Sequence, residues 1–177
     1  MTSRHFSISI AVIIAACVGC GSSTPEPATA DLGSTCHPKA GQKAPAIDAK
    51  SIQGKPKVAV EPGKVTIVDF WATWCKPCKL SFPHYQDLYV KYKSAGLDVV
   101  AVNVDDEKSD IDGFLKQNGK PTFTVGWDSK QASASCWGPE SMPSMFVIDK
   151  KGIVREVHKG WHDGDEKDLE KLIKTLL

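Results

Sequence analysis

Cys75 and Cys78 stand three residues apart in Trp71-Ala72-Thr73-Trp74-Cys75-Lys76-Pro77-Cys78. That spacing brings two thiols within disulfide reach without straining the chain. A cysteine attacks or binds metal as its thiolate. If a helix opens at Cys75, the unpaired N–H groups and positive dipole of its first turn favour that thiolate. Cys75 is then the attacking sulfur. Cys78, one turn further in and less exposed, is the resolving one that releases a mixed disulfide. Lys76 adds a positive charge beside the thiolate, and Pro77 suits a first helical turn, where a missing N–H costs nothing. The competing use of such a pair is half of a zinc site. Zinc needs two further ligands, and the sequence offers only Cys36, His37 and Cys136, with no second pair among them, so no metal is expected.

The elements around the pair supply the helix start this chemistry needs. Val65–Trp71 (VTIVDFW) is β-branched, aromatic and too continuous for a one-faced strand, so it reads as a central strand covered on both sides. From Cys75 to about Ser94 the pattern is helical, with Leu80, His84, Leu88 and Tyr92, and Tyr85 with Tyr89, at i, i+4 spacing; Ala95-Gly96 ends it. A second buried strand follows at Leu97–Val104, then a helix capped by Ser109 or Asp110 and running to Asn118. Thr122–Trp127 is a third strand and Gln131–Trp137 a short helix. Ser144–Ile148 and Ile153–His158 form a hairpin across Asp149–Gly152. Asp165–Leu177 is an amphipathic helix with acids in its first turn, and Ala44–Ile47 is an entry strand. Strands alternate with helices and then finish in a hairpin, which predicts an α/β fold with a central mixed sheet flanked by helices on both faces.

The N-terminus differs in kind. Residues 1–20 contain a short basic start with Arg4 and an apolar run from Phe6 to Ala16, too short to span a bilayer, which needs about 20 apolar residues. They read as a signal peptide. The run ends in Ile14-Ala15-Ala16-Cys17-Val18-Gly19-Cys20, which resembles a bacterial lipobox, so Cys17 and Cys20 are both lipidation candidates. Residues 21–40, rich in Ser, Thr, Pro, Ala and Gly, read as a flexible tether, and residues 41–177 as one domain. The chain carries 22 Lys and Arg against 21 Asp and Glu, a net charge of +1 without any basic block, so no nucleic-acid partner is expected. The expected location is the bacterial cell envelope, on the periplasmic side, through a lipid anchor in a membrane. Outside the cytosol two further cysteines tend to pair, which makes Cys36 and Cys136 candidates for a structural disulfide; free buried thiols or a second redox pair are the alternatives.

Val68–Lys79, from VDFWATWC to KPCK, resembles the signature of the thioredoxin superfamily, and Pro83 matches the proline that kinks its active-site helix. The likeness runs from about Gly41 to Leu177. Phe82-Pro83, the strand at 99–104 and the extra helix at 109–118 make it similar to the TlpA/ResA branch, membrane-anchored disulfide reductases of which some serve cytochrome maturation. Met142–Asp149 matches the family's cis-proline loop, which implies that Pro143 has a cis bond and that the Met142 peptide faces Cys75 and pairs with an extended substrate. The likeness also implies that Asp69, an acid inside an apolar strand, is buried below Cys78 as its general base, where burial raises its pKa. Read from the strand alone, Asp69 could equally be a strand-end acid facing water. An acid that many ResA-like proteins place three residues after the CxxC is Ser81 here.

Trp74, with Lys76, Pro77 and Met142, is expected to line a substrate groove, whereas Trp137 is read as core. His37, His84, His158 and His162 are read as surface or packing residues. The implied activity is reduction of disulfides in exported proteins through the Cys75–Cys78 dithiol, without a cofactor, by a monomer recharged by a membrane electron donor or a thioredoxin-like reductant. Two other readings of the same pair are a disulfide oxidase or isomerase, toward which Lys76 pushes the potential, and a copper(I) carrier.

Overall fold

The computed structural model of the protein describes residues 36–177 apart from Pro56 and Gly119. The signal peptide with Cys17 and Cys20, and the tether as far as residue 35, lie outside the described residues. In chain order the elements are β1 (Lys50–Ser51), β2 (Val65–Trp71), α1 (Lys76–Tyr92), β3 (Leu97–Asn103), α2 (Lys108–Asn118), β4 (Thr124–Trp127), α3 (Ala132–Trp137), β5 (Ser144–Ile148), β6 (Val154–Lys159) and α4 (Asp165–Leu176). They build one six-stranded sheet in the order β1-β4-β3-β2-β5-β6. Strands β2, β3 and β4 run parallel, whereas β1, β5 and β6 pair antiparallel. This is the mixed α/β sheet expected from the pattern of elements.

The continuous apolar run of β2 is explained by cover on both faces. Val65, Ile67 and Trp71 belong to a core shared with Phe82, Tyr85 and Leu88 of α1, Ile111, Phe114 and Leu115 of α2, and Leu169 and Ile173 of α4. Val68 and Phe70 point the other way, into a second core with Trp137, Phe146 and Val58. Side chains alternate along a strand, so Asp69 faces the first core, the one that also holds Cys75 and Cys78. After α1 a 3-10 turn at Lys93–Ala95 closes on Gly96 (φ +107°), whose N–H bonds the Lys93 carbonyl, as the Gly stop signal predicts.

The chain departs from its sequence reading at several places. Ala44–Ile47 is no strand. Residues just before it pair instead, with Gly41 N–H donating to Val154 O, Val154 N–H to Gln42 O, and Ala44 N–H to Gly152 O. Pro45 then has no N–H to extend the ladder, and the short edge strand forms later, at Lys50–Ser51. Helix α2 starts at Lys108, ahead of both cap residues proposed for it. On α1 the buried row is Cys78, Ser81, Phe82, Tyr85 and Leu88, while Leu80 is 61% exposed. Two residues are about 200° around a helix, so a face chosen by Cys78 turns Leu80 outward. Residues 36–40, assigned to the tether, are fastened to the domain: Cys36 is disulfide-bonded to Cys136, and His37 N–H donates to the Cys136 carbonyl at 2.5 Å. No helix among the described residues is long and apolar enough to cross a membrane.

Candidate active site

Cys75 is the N-cap of α1. It has extended backbone (φ −80°, ψ 104°), and its Sγ accepts the Cys78 N–H at 3.1 Å. The cap oxygen of an ordinary helix start is replaced here by sulfur, so one of the orphan donors of the first turn is spent on Cys75 Sγ. Pro77 falls in that first turn. The two sulfurs are bonded at 2.04 Å, so the structure holds the oxidised pair. Cys75 is 4% exposed and Cys78 fully buried, which leaves Cys75 as the sulfur nearer to solvent.

That sulfur lies on the wall of a groove of about 480 Å³ lined by Trp74, Cys75, Lys76 and Pro77 on one side and Pro139, Glu140, Ser141 and Met142 on the other. Trp74 is 68% exposed, so most of its aromatic surface is left open by the described residues. The Met142–Pro143 peptide is cis. Pro143 is buried, its carbonyl accepts the Gly160 N–H at 2.8 Å, and Ser144 Oγ donates back to Ser141 O at 2.6 Å, so the loop is held at both ends.

Asp69 is fully buried, one strand position from the middle of the parallel pairing with β3, and opposite Met145 of β5. It is not a strand-end acid facing water. Tyr85 donates its hydroxyl to Asp69 Oδ1 at 3.2 Å, and Oδ2 has no partner among the described residues. Desolvation outweighs that one hydrogen bond, and the Asp69 carboxyl is held well above the usual carboxylate range. The same balance follows from magnitudes. One hydrogen bond to a charged group returns about 1.5–3 kcal/mol, whereas burying a carboxylate costs several. Burial, and then the neighbouring Asp69 charge, push the Tyr85 phenol up, with a Ser81 hydrogen bond acting in the opposite sense. Ser81 Oγ also donates to the Cys78 carbonyl at 3.2 Å. Ser81 therefore stands between Cys78 and Tyr85 on the buried face of α1, where the resemblance expected an acid.

Several residues near the site escape sequence reasoning. Tyr85 looked like helix packing. Asp105, at the carboxyl end of β3, accepts Thr73 N–H and Thr73 Oγ1–H at 2.9 and 3.1 Å and Asn103 Nδ2–H at 2.7 Å. It thereby fixes the strand-to-helix turn that delivers Cys75. Its only signal was position, since sites of α/β sheets gather at the carboxyl ends of parallel strands. Trp137 is core, 1% exposed and packed on Phe70 and Phe146. Cys36 and Cys136 are bonded to each other with Cα atoms 4.5 Å apart. The histidines are not all isolated: His84 stacks on Trp161, and His158 and His162 both approach Asp165.

Residues 39–173 match the Redoxin family. The thiol–disulfide oxidoreductase ResA of Bacillus thuringiensis (strain Al Hakam) is 35% identical over 138 residues, 77% of this chain and 78% of that protein. Among solved structures, a Chlorobium tepidum protein assigned as thiol:disulfide interchange protein DsbE superposes with a TM-score of 0.74 at 37% identity, covering 78% of this chain and 98% of that one. StoA from Bacillus subtilis follows with a TM-score of 0.60 at 26% identity, covering 71% and 94%. With a CxxC pair at a helix start, a mixed sheet of this topology and these relatives, the chain belongs to the Redoxin family as a TlpA/ResA-like thiol–disulfide oxidoreductase of the thioredoxin fold.

Proposed function

We propose that this oxidoreductase works outside the cytoplasm as a reductase of disulfides in exported proteins, held at a membrane by a lipid on Cys17 or Cys20. The observation that carries the reading is the Cys75 Sγ capping α1 at the wall of an open groove, with Cys78 and Asp69 buried behind it. In the reduced enzyme the Cys75 thiolate, stabilised by the Cys78 N–H and the helix end, attacks one sulfur of a substrate disulfide. A Cys75–substrate bond forms, and the other substrate sulfur leaves as a thiolate that takes a proton from water. Asp69 then accepts the Cys78 proton. Its raised pKa brings carboxylate and thiol closer in proton affinity, which is where a general base is efficient. The Cys78 thiolate attacks Cys75 Sγ, the Cys75–Cys78 disulfide closes, and the second substrate sulfur is released and protonated. Two electrons and two protons reach the substrate. A membrane donor or a thioredoxin-like dithiol restores the enzyme, and cytochrome maturation is one process such a reductase serves.

Met142, Trp74, Lys76 and Pro77 hold the substrate chain in the groove, with the backbone before Pro143 as its pairing edge. An oxidase or isomerase is the second reading, favoured by the same sulfur cap and by Lys76, since a better stabilised thiolate makes the pair more oxidising. The reduction potential of Cys75–Cys78 separates the two. It is measured by equilibrating the oxidised protein with defined dithiol buffers, beside a Cys36→Ser/Cys136→Ser variant that removes the other pair. A value at or below about −220 mV supports a reductase, and one near about −120 mV marks an oxidant and overturns that assignment.

A further inference from the structure

The end of β6 and the start of α4 bring two histidines and an aspartate together outside the redox groove. His158 lies on β6 opposite Met145. The chain then turns through Gly160 (φ +80°) and enters α4 at Asp165. Across that turn one ligand atom each from His158, His162 and Asp165 lies within 4.8 Å of the others. His158 Nε2 is 2.9 Å and His162 Nδ1 3.5 Å from Asp165 Oδ2. A tetrahedral cation with imidazole and carboxylate ligands at about 2.0–2.2 Å sets neighbouring ligand atoms about 3.3–3.6 Å apart. The His162–Asp165 separation falls inside that range and the His158–Asp165 separation a few tenths of an ångström below it, so seating a cation on these two contacts requires only that the shorter one open slightly.

The backbone holding these groups is fixed. Gly160 N–H is bonded to Pro143 O, Asp165 N–H to His162 O, and His162 N–H to Asp165 Oδ2 at 2.6 Å. The remaining ring nitrogen of His158, Nδ1, faces Glu156 Oε1 at 3.8 Å. A carboxylate behind a ligating imidazole is the arrangement that orients a metal-binding histidine. A simple staple between β6 and α4 would need only His158 and Asp165. It would not need His162, which is 74% exposed yet directed at the same carboxylate.

We propose that His158, His162 and Asp165 form a binding site for a zinc-type divalent transition cation. Two imidazoles and one carboxylate are its preferred donors and leave a fourth position open. Calcium and magnesium, which take six or more oxygen donors, do not suit this set. The site does not depend on the direction in which Cys75–Cys78 runs. It does adjoin the redox centre: Trp161, between the two histidines, stacks on His84 and meets Tyr85 edge-on, each at 5.5 Å. Tyr85 is the residue bonded to Asp69.

The test is a calorimetric titration of the full chain with Zn2+, purified without a histidine tag, with both disulfides closed and with Cys17→Ser and Cys20→Ser in place so that no thiolate competes. One equivalent is expected to bind. His162→Ala, a change at an exposed ring that leaves the core intact, should weaken that binding at least tenfold, whereas His37→Ala should leave it unchanged. Absence of a saturable equivalent, or one that persists unweakened in His162→Ala, overturns the site.

Discussion

The two disulfides of this domain are the same bond in opposite settings. Cys75–Cys78 spans three residues and is buried, at 4% and 0% exposure. Cys36–Cys136 spans 100 residues and is the more accessible, with Cys36 exposed and Cys136 half-buried. Exposure of sulfur therefore does not mark the redox centre. What sets Cys75–Cys78 apart is the helix end under Cys75, the acid in the core that holds Cys78, and the groove that opens onto Cys75 alone of the four sulfurs. Loop length separates the pairs in the other sense. Closing three residues removes little entropy from the unfolded chain, whereas closing about a hundred removes much more.

The largest expected effect breaks the pair that is not expected to turn over. Cys36→Ser/Cys136→Ser should lower stability by about 2–5 kcal/mol in denaturant unfolding. It should leave disulfide reduction by Cys75–Cys78 within about twofold. A large loss of turnover at unchanged fold would show that the second pair exchanges electrons with the first.

Next in size is Asp69→Asn, which removes the proposed base while leaving the dithiol. Turnover at neutral pH should fall about 100-fold, the usual scale of a positioned proton acceptor. Stability should move the opposite way. Because burial raises the Asp69 pKa in the folded state, the native protein holds this proton where the unfolded chain has released it. Wild-type stability is then fully present below the unfolded carboxyl pKa and declines as pH rises toward the folded value, with a slope of at most about 1.4 kcal/mol per pH unit. Asp69→Asn should lack this decline, and thermal melts between pH 4 and 8 would show it.

The smallest effect is the sharpest. Tyr85→Phe removes the one hydrogen bond that pulls the Asp69 pKa down. The pH at which resolution reaches half its maximum should rise by about one unit, the equivalent of a hydrogen bond of about 1.5 kcal/mol. A profile that does not move would place Tyr85 in packing only.

These residues differ in how much of their role is written locally. Cys75, Cys78, Lys76 and Pro77 lie in one short segment between a strand and a helix, so spacing alone suggested the chemistry, and the strand and helix patterns on either side supplied the setting. Asp69 was visible as an anomaly in an apolar strand, but its burial depends on which face β2 turns toward α1. The Tyr85 bond depends further on the rotation of α1, the same rotation that turned Leu80 outward. Asp105 acts through the adjacency of β3 to the turn before Cys75, a tertiary fact with no local signature. The pairing of residues 41–44 with β6 replaced the expected strand at Ala44–Ile47 because Pro45 interrupts the ladder. His158 and His162 read as surface or packing residues and Asp165 as a first-turn acid because a strand end, a turn and a helix start must be folded before the three converge.

The most direct test of the account is to react reduced Cys78→Ser and reduced Cys75→Ser full-length proteins with a peptide carrying one internal disulfide, and to map any adduct by mass spectrometry. Cys78→Ser should accumulate a mixed disulfide through Cys75, because the attacking sulfur is present and the resolving one is gone. Cys75→Ser should form none, because Cys78 is buried. An adduct on Cys78 forming as fast as that on Cys75, or no adduct with either protein, would contradict the assignment of Cys75 as nucleophile and Cys78 as resolving thiol.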